Sequence, residues 1–223
     1  MELKDAILAR HSVRQFKADP IEDDKKERIM ALCKECSELS GLRIELITDD
    51  PECFETLLAK YGRFRGVTNY ISIVGKKDDD SADESAGYYG ERIVLEAQMM
   101  GLNTCWVGGT YGKGKCRVDV DAGEKIICVI AIGYGVDNGK PHKSKSIDKI
   151  CDIDPDNMPV WFRNGVRAAL LAPTALNQQK FRITLSGDEA VFSTKKGAFT
   201  KVDLGIAEYN FEAASGHKVF KAH

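Results

Sequence analysis

The chain has 223 residues, a formal net charge of -2 and a hydrophobic fraction of 43%. This length allows one large domain or two small domains that share a core, and the composition is typical of a globular protein. The charge argues against nucleic acid and anionic membranes as partners. No apolar run approaches the ~18 residues that a membrane helix needs, and the N-terminus lacks the apolar core of a signal peptide, so we expect a cytoplasmic protein.

Helix and strand patterns alternate through the first part of the chain. Apolar spacing predicts helices over residues 2–9, 20–41 and 88–100, and a shorter helix that starts at residues 49–51. Strands are predicted over residues 42–48, 70–74, 104–107 and 126–132, the last being a buried central strand. The acidic run 76–84 is expected to be a solvated loop.

The second part of the chain follows a polar stretch, residues 136–158, which is the one plausible linker. A helix is predicted over residues 160–171 and is stopped by Pro173. Residues 181–185 and 190–194 flank a Ser-Gly-Asp-Glu turn and predict a hairpin, and residues 204–214 predict a final helix. The mixture indicates an α+β fold with helices packed on a central sheet.

Seven cysteines are present, an odd number in a chain with no secreted disulfide framework, so we interpret them as reduced thiols. Cys33 and Cys36 are spaced so that both could lie on one face of a helix. No second CxxC pair and no histidine at zinc spacing accompany them, so no metal site is predicted. A structural role for the pair is favoured over a redox role.

Four segments have residue types suited to binding a phosphorylated, planar ligand. Residues 10–14 read Arg-His-Ser-Val-Arg, in which Arg10 and Arg14 could make forked contacts to a phosphate and Ser12 could donate a hydrogen bond. Gly108 and Gly109 would let the backbone approach a flat ligand. Residues 140–145 add positive charge, and residues 172–179 follow a helix break. Taken singly, each segment has an ordinary explanation as a turn, a cap or a solvated loop.

Together the four segments resemble the FMN-dependent nitroreductase family over nearly the whole chain. The opening Arg-His-Ser-Val-Arg-Gln-Phe is similar to its FMN-phosphate motif, and Ala-Pro-Thr-Ala-Leu-Asn-Gln-Gln at residues 172–179 resembles its Ala-Pro-Ser-x-x-Asn-x-Gln-Pro motif. Residues 101–109 and 130–135 resemble its flavin-ring segment and its last core strand. The resemblance implies a nitroreductase-like central sheet flanked by helices, with FMN as cofactor.

The resemblance also implies which residues contact FMN. Arg10, Ser12 and Arg14 would neutralise the phosphate with help from the lysines near residue 144. The backbone N–H of Gly108 would lie near flavin N5. The cofactor-binding residues implied in this way are Arg10, His11, Ser12, Arg14, Trp106, Val107, Gly108, Gly109, Lys143, Lys145, Pro173, Thr174, Ala175 and Asn177.

The order of the motifs departs from the family pattern. In the family, the Pro-Ser-x-x-Asn motif follows the arginine motif by a few dozen residues, whereas here it comes after residue 170. The resemblance therefore implies an internal pseudo-dimer of two unequal halves. Residues 1–150 would carry the phosphate motif, and residues 158–223 would be a shortened second half that completes the flavin site. A monomer is then possible, and a homodimer is not excluded.

The implied activity is electron transfer from NAD(P)H through FMN to a small acceptor such as a nitroaromatic or a quinone. No side chain is obligatory as an acid or base, so no catalytic residue is named. Lys180-Phe181 stands where the family often has Pro-Trp, which leaves the acceptor open. The alternatives are a flavin-binding or regulatory protein without turnover, and a family variant that acts on reduced flavin or halogenated substrates.

Overall fold

Helices and strands alternate along the chain in the computed structural model, which describes residues 1–221. The helices are α1 (Leu3–Ala9), α2 (Asp23–Ser40), α3 (Leu57–Tyr61), α4 (Ala82–Met99), α5 (Val160–Ala169) and α6 (Thr200–Ser215). The strands are β1 (Arg43–Ile47), β2 (Tyr70–Lys76), β3 (Asn103–Val107), β4 (Glu124–Gly133), β5 (Phe181–Ser186), β6 (Glu189–Thr194) and β7 (Val219–Lys221). The predicted α+β class is confirmed.

The larger sheet has four strands in the order β1-β2-β4-β3, and every neighbouring pair is antiparallel. β4 lies between β2 and β3, and its residues from Ile126 onward are buried. This burial agrees with its continuous run of β-branched residues, because a strand covered on both faces needs no polar alternation. The predicted central strand is therefore confirmed.

The smaller sheet has three strands in the order β5-β6-β7. β5 and β6 form the predicted antiparallel hairpin, which turns at Gly187 with φ +60°. β7 pairs in parallel with β6 and was not predicted. Only three residues long, it offers too short a pattern for sequence periodicity to detect.

Two helices begin six or more residues away from their predicted starts. α4 begins at Ala82, inside the acidic run that was expected to be a loop, and Asp83 and Glu84 occupy its first turn. Negative side chains there are favoured by the helix dipole, which explains how an acidic run can start a helix. α3 begins at Leu57, where the side chain of Thr56 accepts a hydrogen bond from the Ala59 N–H at 3.2 Å.

The chain forms two compact units. The large-sheet unit comprises residues 10–82 and 93–141, and the small-sheet unit comprises residues 1–9, 83–92 and 142–223. These units are defined by contacts, whereas the predicted halves 1–150 and 158–223 are defined by roles in ligand binding. The two halves and the internal pseudo-dimer accordingly stay predictions.

Each unit has its own apolar core. In the large-sheet unit, the aromatic side chains of Phe54, Phe64, Tyr70 and Tyr111 belong to one buried cluster beside the sheet. In the small-sheet unit, α5 and α6 pack through Phe162 and Phe211, whose ring centroids are 5.7 Å apart. No helix within residues 1–221 has the length and apolar character needed to cross a membrane.

Candidate functional site

The basic cluster, residues 10–14, lies along strand β3 in the large-sheet unit. The Val13 N–H donates to the Thr104 carbonyl oxygen at 3.0 Å, and Ser12 forms a parallel bridge with Thr104. The cluster therefore extends the sheet edge instead of forming a free turn. The sequence alone favoured a solvated turn for these residues, and this strand pairing corrects that interpretation.

The two arginines of the basic cluster differ in exposure. Arg10 is only 3% exposed, whereas Arg14 is exposed. His11 and Ser12 are half-buried. A buried guanidinium needs compensating charge and hydrogen bonds, so Arg10 contributes to the packing of the chain as well as to its charge.

Three side chains of the basic cluster affect the ionisation of Cys105 in β3. Burial raises the pKa of the Cys105 thiol, whereas the charge of Arg14, a hydrogen bond with Ser12 and the charge of Arg10 act in the opposite direction. All three predicted phosphate-binding side chains therefore influence the pKa of the same thiol. The backbone pairing of residues 12 and 13 with Thr104 places Ser12 and the segment with both arginines beside this stretch of β3.

β3 leads directly from this point into the paired glycines. Val107 is buried, Trp106 and Gly108 are half-buried, and Gly109 is exposed. A Cβ built on Gly109 would have no heavy atom within 4 Å, so there is open space beside the backbone here. The structure thus brings residues 106–109 and the basic cluster together on one strand edge.

Two residues that the sequence analysis did not name support this region. Gly139 packs against the basic cluster, and Asn103 binds the turn after β4. Gly139 has φ +71°, and a Cβ there would lie 2.9 Å from His11 Cβ and 3.0 Å from the Ser12 carbonyl oxygen. Asn103 Oδ1 accepts a hydrogen bond from the Gly135 N–H at 2.9 Å, fixing the turn after β4. The glycine spacing at residues 133, 135 and 139 is the signal that could have indicated this close packing.

In the small-sheet unit, the predicted lysines lie against the Pro-Thr segment, residues 172–179. Asn177 Nδ2 donates to the Lys143 carbonyl oxygen at 2.9 Å. The Lys145 N–H donates to Gln179 Oε1 at 2.7 Å, and Lys145 Nζ donates to the Gln179 carbonyl oxygen at 2.9 Å. Two segments that the sequence analysis treated separately are therefore one hydrogen-bonded assembly.

Gln179 is the centre of that assembly. Its side chain is buried, and Nε2 donates to the Leu170 carbonyl oxygen at 2.9 Å. Its backbone N–H donates to Thr174 Oγ1 at 3.1 Å. Gln179 was quoted as part of the family-like motif but was not named as a site residue, because its role depends on contacts more distant in the sequence.

The Pro-Thr segment has an unusual backbone. Leu176, Asn177 and Gln179 have φ values of 52°, 54° and 44°, in the left-handed region that non-glycine residues rarely adopt. Each such residue costs about 1–2 kcal/mol, and strain of this kind persists where surrounding contacts hold it. The hydrogen bonds of Asn177 and Gln179 supply those contacts, whereas the Leu176 side chain is 93% exposed.

Asp203 anchors the same segment from the first turn of α6. Its Oδ1 accepts a hydrogen bond from the Ala175 N–H at 2.8 Å, and the residue is 4% exposed. Within residues 1–221, its Oδ2 has no hydrogen-bond partner. Burial raises the pKa of the Asp203 carboxyl to about 7, and the Ala175 N–H and Lys180 act in the opposite direction. The sequence analysis did not identify Asp203.

Solved structures that resemble this chain include several nitroreductases. A crystal structure of a putative nitroreductase from Thermotoga maritima MSB8 is 23% identical, with a TM-score of 0.69 over 96% of this chain and 83% of that chain. A putative nitroreductase in complex with FMN from Desulfovibrio desulfuricans is 21% identical, with a TM-score of 0.52 over 66% of this chain and 94% of that chain. A putative NADH dehydrogenase/NAD(P)H nitroreductase from Parabacteroides distasonis is 20% identical, with a TM-score of 0.53 over 66% of this chain and 95% of that chain.

These identities establish a shared fold and no more. No curated protein matches the chain. The family model described as "Putative TM nitroreductase" matches residues 2–215. Because that match spans nearly the whole sequence, the chain belongs to this nitroreductase family.

Proposed function

We propose that the protein is an FMN-dependent oxidoreductase that passes electrons from NAD(P)H to a small acceptor such as a nitroaromatic or a quinone. The observation that carries the proposal is the backbone pairing of Ser12 and Val13 with Thr104, which places the basic cluster beside the strand that leads into Gly108 and Gly109. Membership in a nitroreductase family and the FMN complex of the Desulfovibrio relative support it.

The donor set at β3 suits a phosphate monoester. Guanidinium groups bind phosphate oxygens in a forked geometry, and the Ser12 hydroxyl adds a further donor. The sequence contains no G-x-G-x-x-G loop, which is the usual site for a dinucleotide pyrophosphate. FMN therefore fits this chain better than FAD.

When bound, FMN supplies the chemistry of hydride acceptance and electron release. The chain's own residues bind and orient it. Arg10, Ser12 and Arg14 would hold the phosphate, and the open space beside Gly109 would admit a planar group close to the backbone. We propose that the Gly108 N–H would be the donor to flavin N5, and no side chain is assigned as an acid or base.

The cofactor can be identified directly. Protein incubated with a mixture of FMN and FAD, then desalted and heated, should release FMN on chromatography. Recovered FAD would contradict the proposed phosphate site. NADH and NADPH oxidation should then be followed with nitroaromatic, quinone, halogenated and free-flavin acceptors. Bound flavin without turnover on any acceptor would favour a binding or regulatory role.

From the motif order, we further propose that residues 1–150 and 158–223 of one chain serve the same FMN, with one FMN per chain. The Arg-x-Ser-x-Arg pattern occurs only in the first half and Pro173-Thr174-x-x-Asn177 only in the second. Mixing Arg10→Ala, Arg14→Ala protein with Thr174→Trp protein should not restore FMN binding. Restoration would show that the halves act between chains.

A further inference from the structure

Two cysteines outside the proposed flavin residues approach each other in the large-sheet unit. Cys53 lies in the segment between β1 and α3, and Cys116 lies between β3 and β4. The Gly112 N–H donates to the Cys53 carbonyl oxygen at 2.7 Å, and Cys116 Sγ donates to the Gly112 carbonyl oxygen at 3.7 Å. Gly112 thus joins the two segments through both of its peptide groups.

Gly112 also explains why the segments can come so close. A Cβ at this position would lie 2.6 Å from Thr56 Cγ2, which is shorter than any normal contact. The Cys53 Cα would lie 3.7 Å from the same Cβ, so Cys53 and the Cys116 sulfur are neighbours of one glycine, and each thiol shifts the pKa of the other. The pair is therefore prearranged by packing, although its members are distant in sequence.

The two thiols differ in access. Cys53 is 0% exposed and belongs to the buried cluster with Phe54 and Tyr111. Cys116 is half-buried and packs against the outside of that cluster. A small dissolved reagent can therefore reach the Cys116 thiol from solvent, whereas the Cys53 thiol is shielded.

The electrostatic environment gives the accessible thiol the greater thiolate fraction. The hydrogen bond from Cys53 lowers the pKa of Cys116, and Tyr70 and Lys113 act in the same direction, against burial and the charge of Asp50. Asp50 already accepts hydrogen bonds from the Tyr70 hydroxyl at 2.5 Å and from the Arg117 N–H at 3.2 Å. The hydrogen bond to Cys116 and burial raise the pKa of Cys53. Because thiolates are the nucleophiles, Cys116 should react and Cys53 should follow.

We propose that Cys116 and Cys53 form a peroxide-sensitive thiol pair, in which Cys116 is the sulfur that is oxidised first and Cys53 is the sulfur that resolves it into a disulfide. This inference is independent of the proposed flavin chemistry. A hydroperoxide is the oxidant.

The reaction balances in two steps. The Cys116 thiolate attacks the O–O bond of hydrogen peroxide, an S–O bond forms, and hydroxide leaves and is protonated to water. The Cys53 sulfur then attacks the Cys116 sulfur, the S–O bond breaks, and a second water leaves with the Cys53 proton. Two thiols lose two electrons, and one peroxide is reduced to two waters.

Cys33 and Cys36 provide a matched comparison within the same unit. Both are buried in α2, and burial raises the pKa of the Cys33 thiol to about 12. A thiol with so little thiolate reacts slowly with peroxide. The adjacent CxxC pair, which is the more obvious in the sequence, should therefore be the less reactive of the two.

The test uses the full chain, fully reduced and then exposed to a small excess of hydrogen peroxide. Free thiols are blocked with iodoacetamide, and non-reduced peptides are mapped by mass spectrometry. The expected product is a Cys53–Cys116 linked peptide, present in wild type and in Cys33→Ser/Cys36→Ser protein. It should be lost in Cys116→Ser protein. In Cys53→Ser protein, dimedone should trap sulfenic acid at Cys116.

The wild-type map alone can overturn the proposal, so it does not depend on how any variant folds. Cys116 remaining reduced while other thiols oxidise would contradict it. A dominant Cys33–Cys36 linkage would do the same. Oxidation of Cys116 that bypasses Cys53 and accumulates as sulfinic acid in wild type would remove Cys53 from the resolving role.

Discussion

The two candidate ligand-binding assemblies are held in place by different means. In the large-sheet unit, the basic cluster is fixed by backbone pairing with β3, so its side chains can be changed without removing the contacts that position it. In the small-sheet unit, the Pro-Thr segment depends on the side chains of Gln179, Asn177 and Asp203 to hold a strained backbone. Substitution of the exposed Arg14 in the first assembly should mainly change ligand affinity, whereas substitutions in the second should also change stability.

The largest expected effect is on FMN affinity in Arg10→Ala, Arg14→Ala protein. Each lost charge-assisted hydrogen bond should cost about 1.5–3 kcal/mol, or roughly 10- to 100-fold in affinity. Since Arg10 is buried, the double variant should also lose stability, so Arg14→Ala alone is the cleaner test. Fluorescence titration measures the affinity, and Arg28→Ala, an exposed arginine in the same unit, is the control. Equal FMN affinity in Arg14→Ala and wild type would remove Arg14 from the phosphate site.

Gln179→Ala should have the next largest effect, on stability. It removes the partner of the Lys145 N–H and a donor to the Leu170 carbonyl oxygen, which together should cost about 2 kcal/mol. Urea unfolding measures the loss. Gln178→Ala, at the neighbouring half-buried position, should change stability by much less. Similar values for the two variants would refute the role given to Gln179.

Asp203→Asn should make stability less dependent on pH. The folded pKa of about 7 lies above the unfolded value of ~3.9, so folding favours the protonated carboxyl. The contribution of the protonated Asp203 carboxyl to folding stability is complete below pH ~4 and is lost as the pH rises towards about 7. Asparagine keeps the oxygen that accepts from the Ala175 N–H and carries no charge.

At pH 8 the Asp203→Asn variant should therefore be more stable than wild type by on the order of 2 kcal/mol, with a smaller gap at pH 5. Urea unfolding at both values gives the comparison. Asp188→Asn, at an exposed hairpin position, serves as control and should show no such pH dependence. A gap that widens towards low pH would contradict the assigned direction of the Asp203 pKa.

The smallest predicted effect is a stabilisation by Leu176→Gly. Glycine relieves a left-handed penalty of about 1–2 kcal/mol but adds about 0.5–1 kcal/mol of chain entropy to the unfolded state. A net gain of about 0.5 kcal/mol should appear in thermal unfolding. Leu176→Ala keeps the strained conformation and should show no gain. Destabilisation by glycine would mean that the exposed leucine side chain has a packing role.

Sequence patterns predicted those features that depend on neighbouring residues. The continuous apolar run of β4 and the alternating strands and turn of the β5-β6 hairpin predicted those elements, and the four motif segments indicated the family. Gln179 and Asp203 were not identified, because their roles depend on Leu170, Lys145 and Ala175, which the fold brings to them. The burial of Arg10 could not be predicted either, because the sequence Arg-His-Ser-Val-Arg is equally compatible with an exposed turn.

An anaerobic titration of FMN-loaded protein with NADH and with NADPH tests the central claim most directly. The account predicts that the oxidised flavin absorbance bleaches with one of the two, at one flavin per chain, and returns when a quinone is added. Flavin that binds but stays oxidised with both nucleotides would contradict an oxidoreductase and leave a flavin-binding protein. Failure to retain any FMN would contradict the site itself.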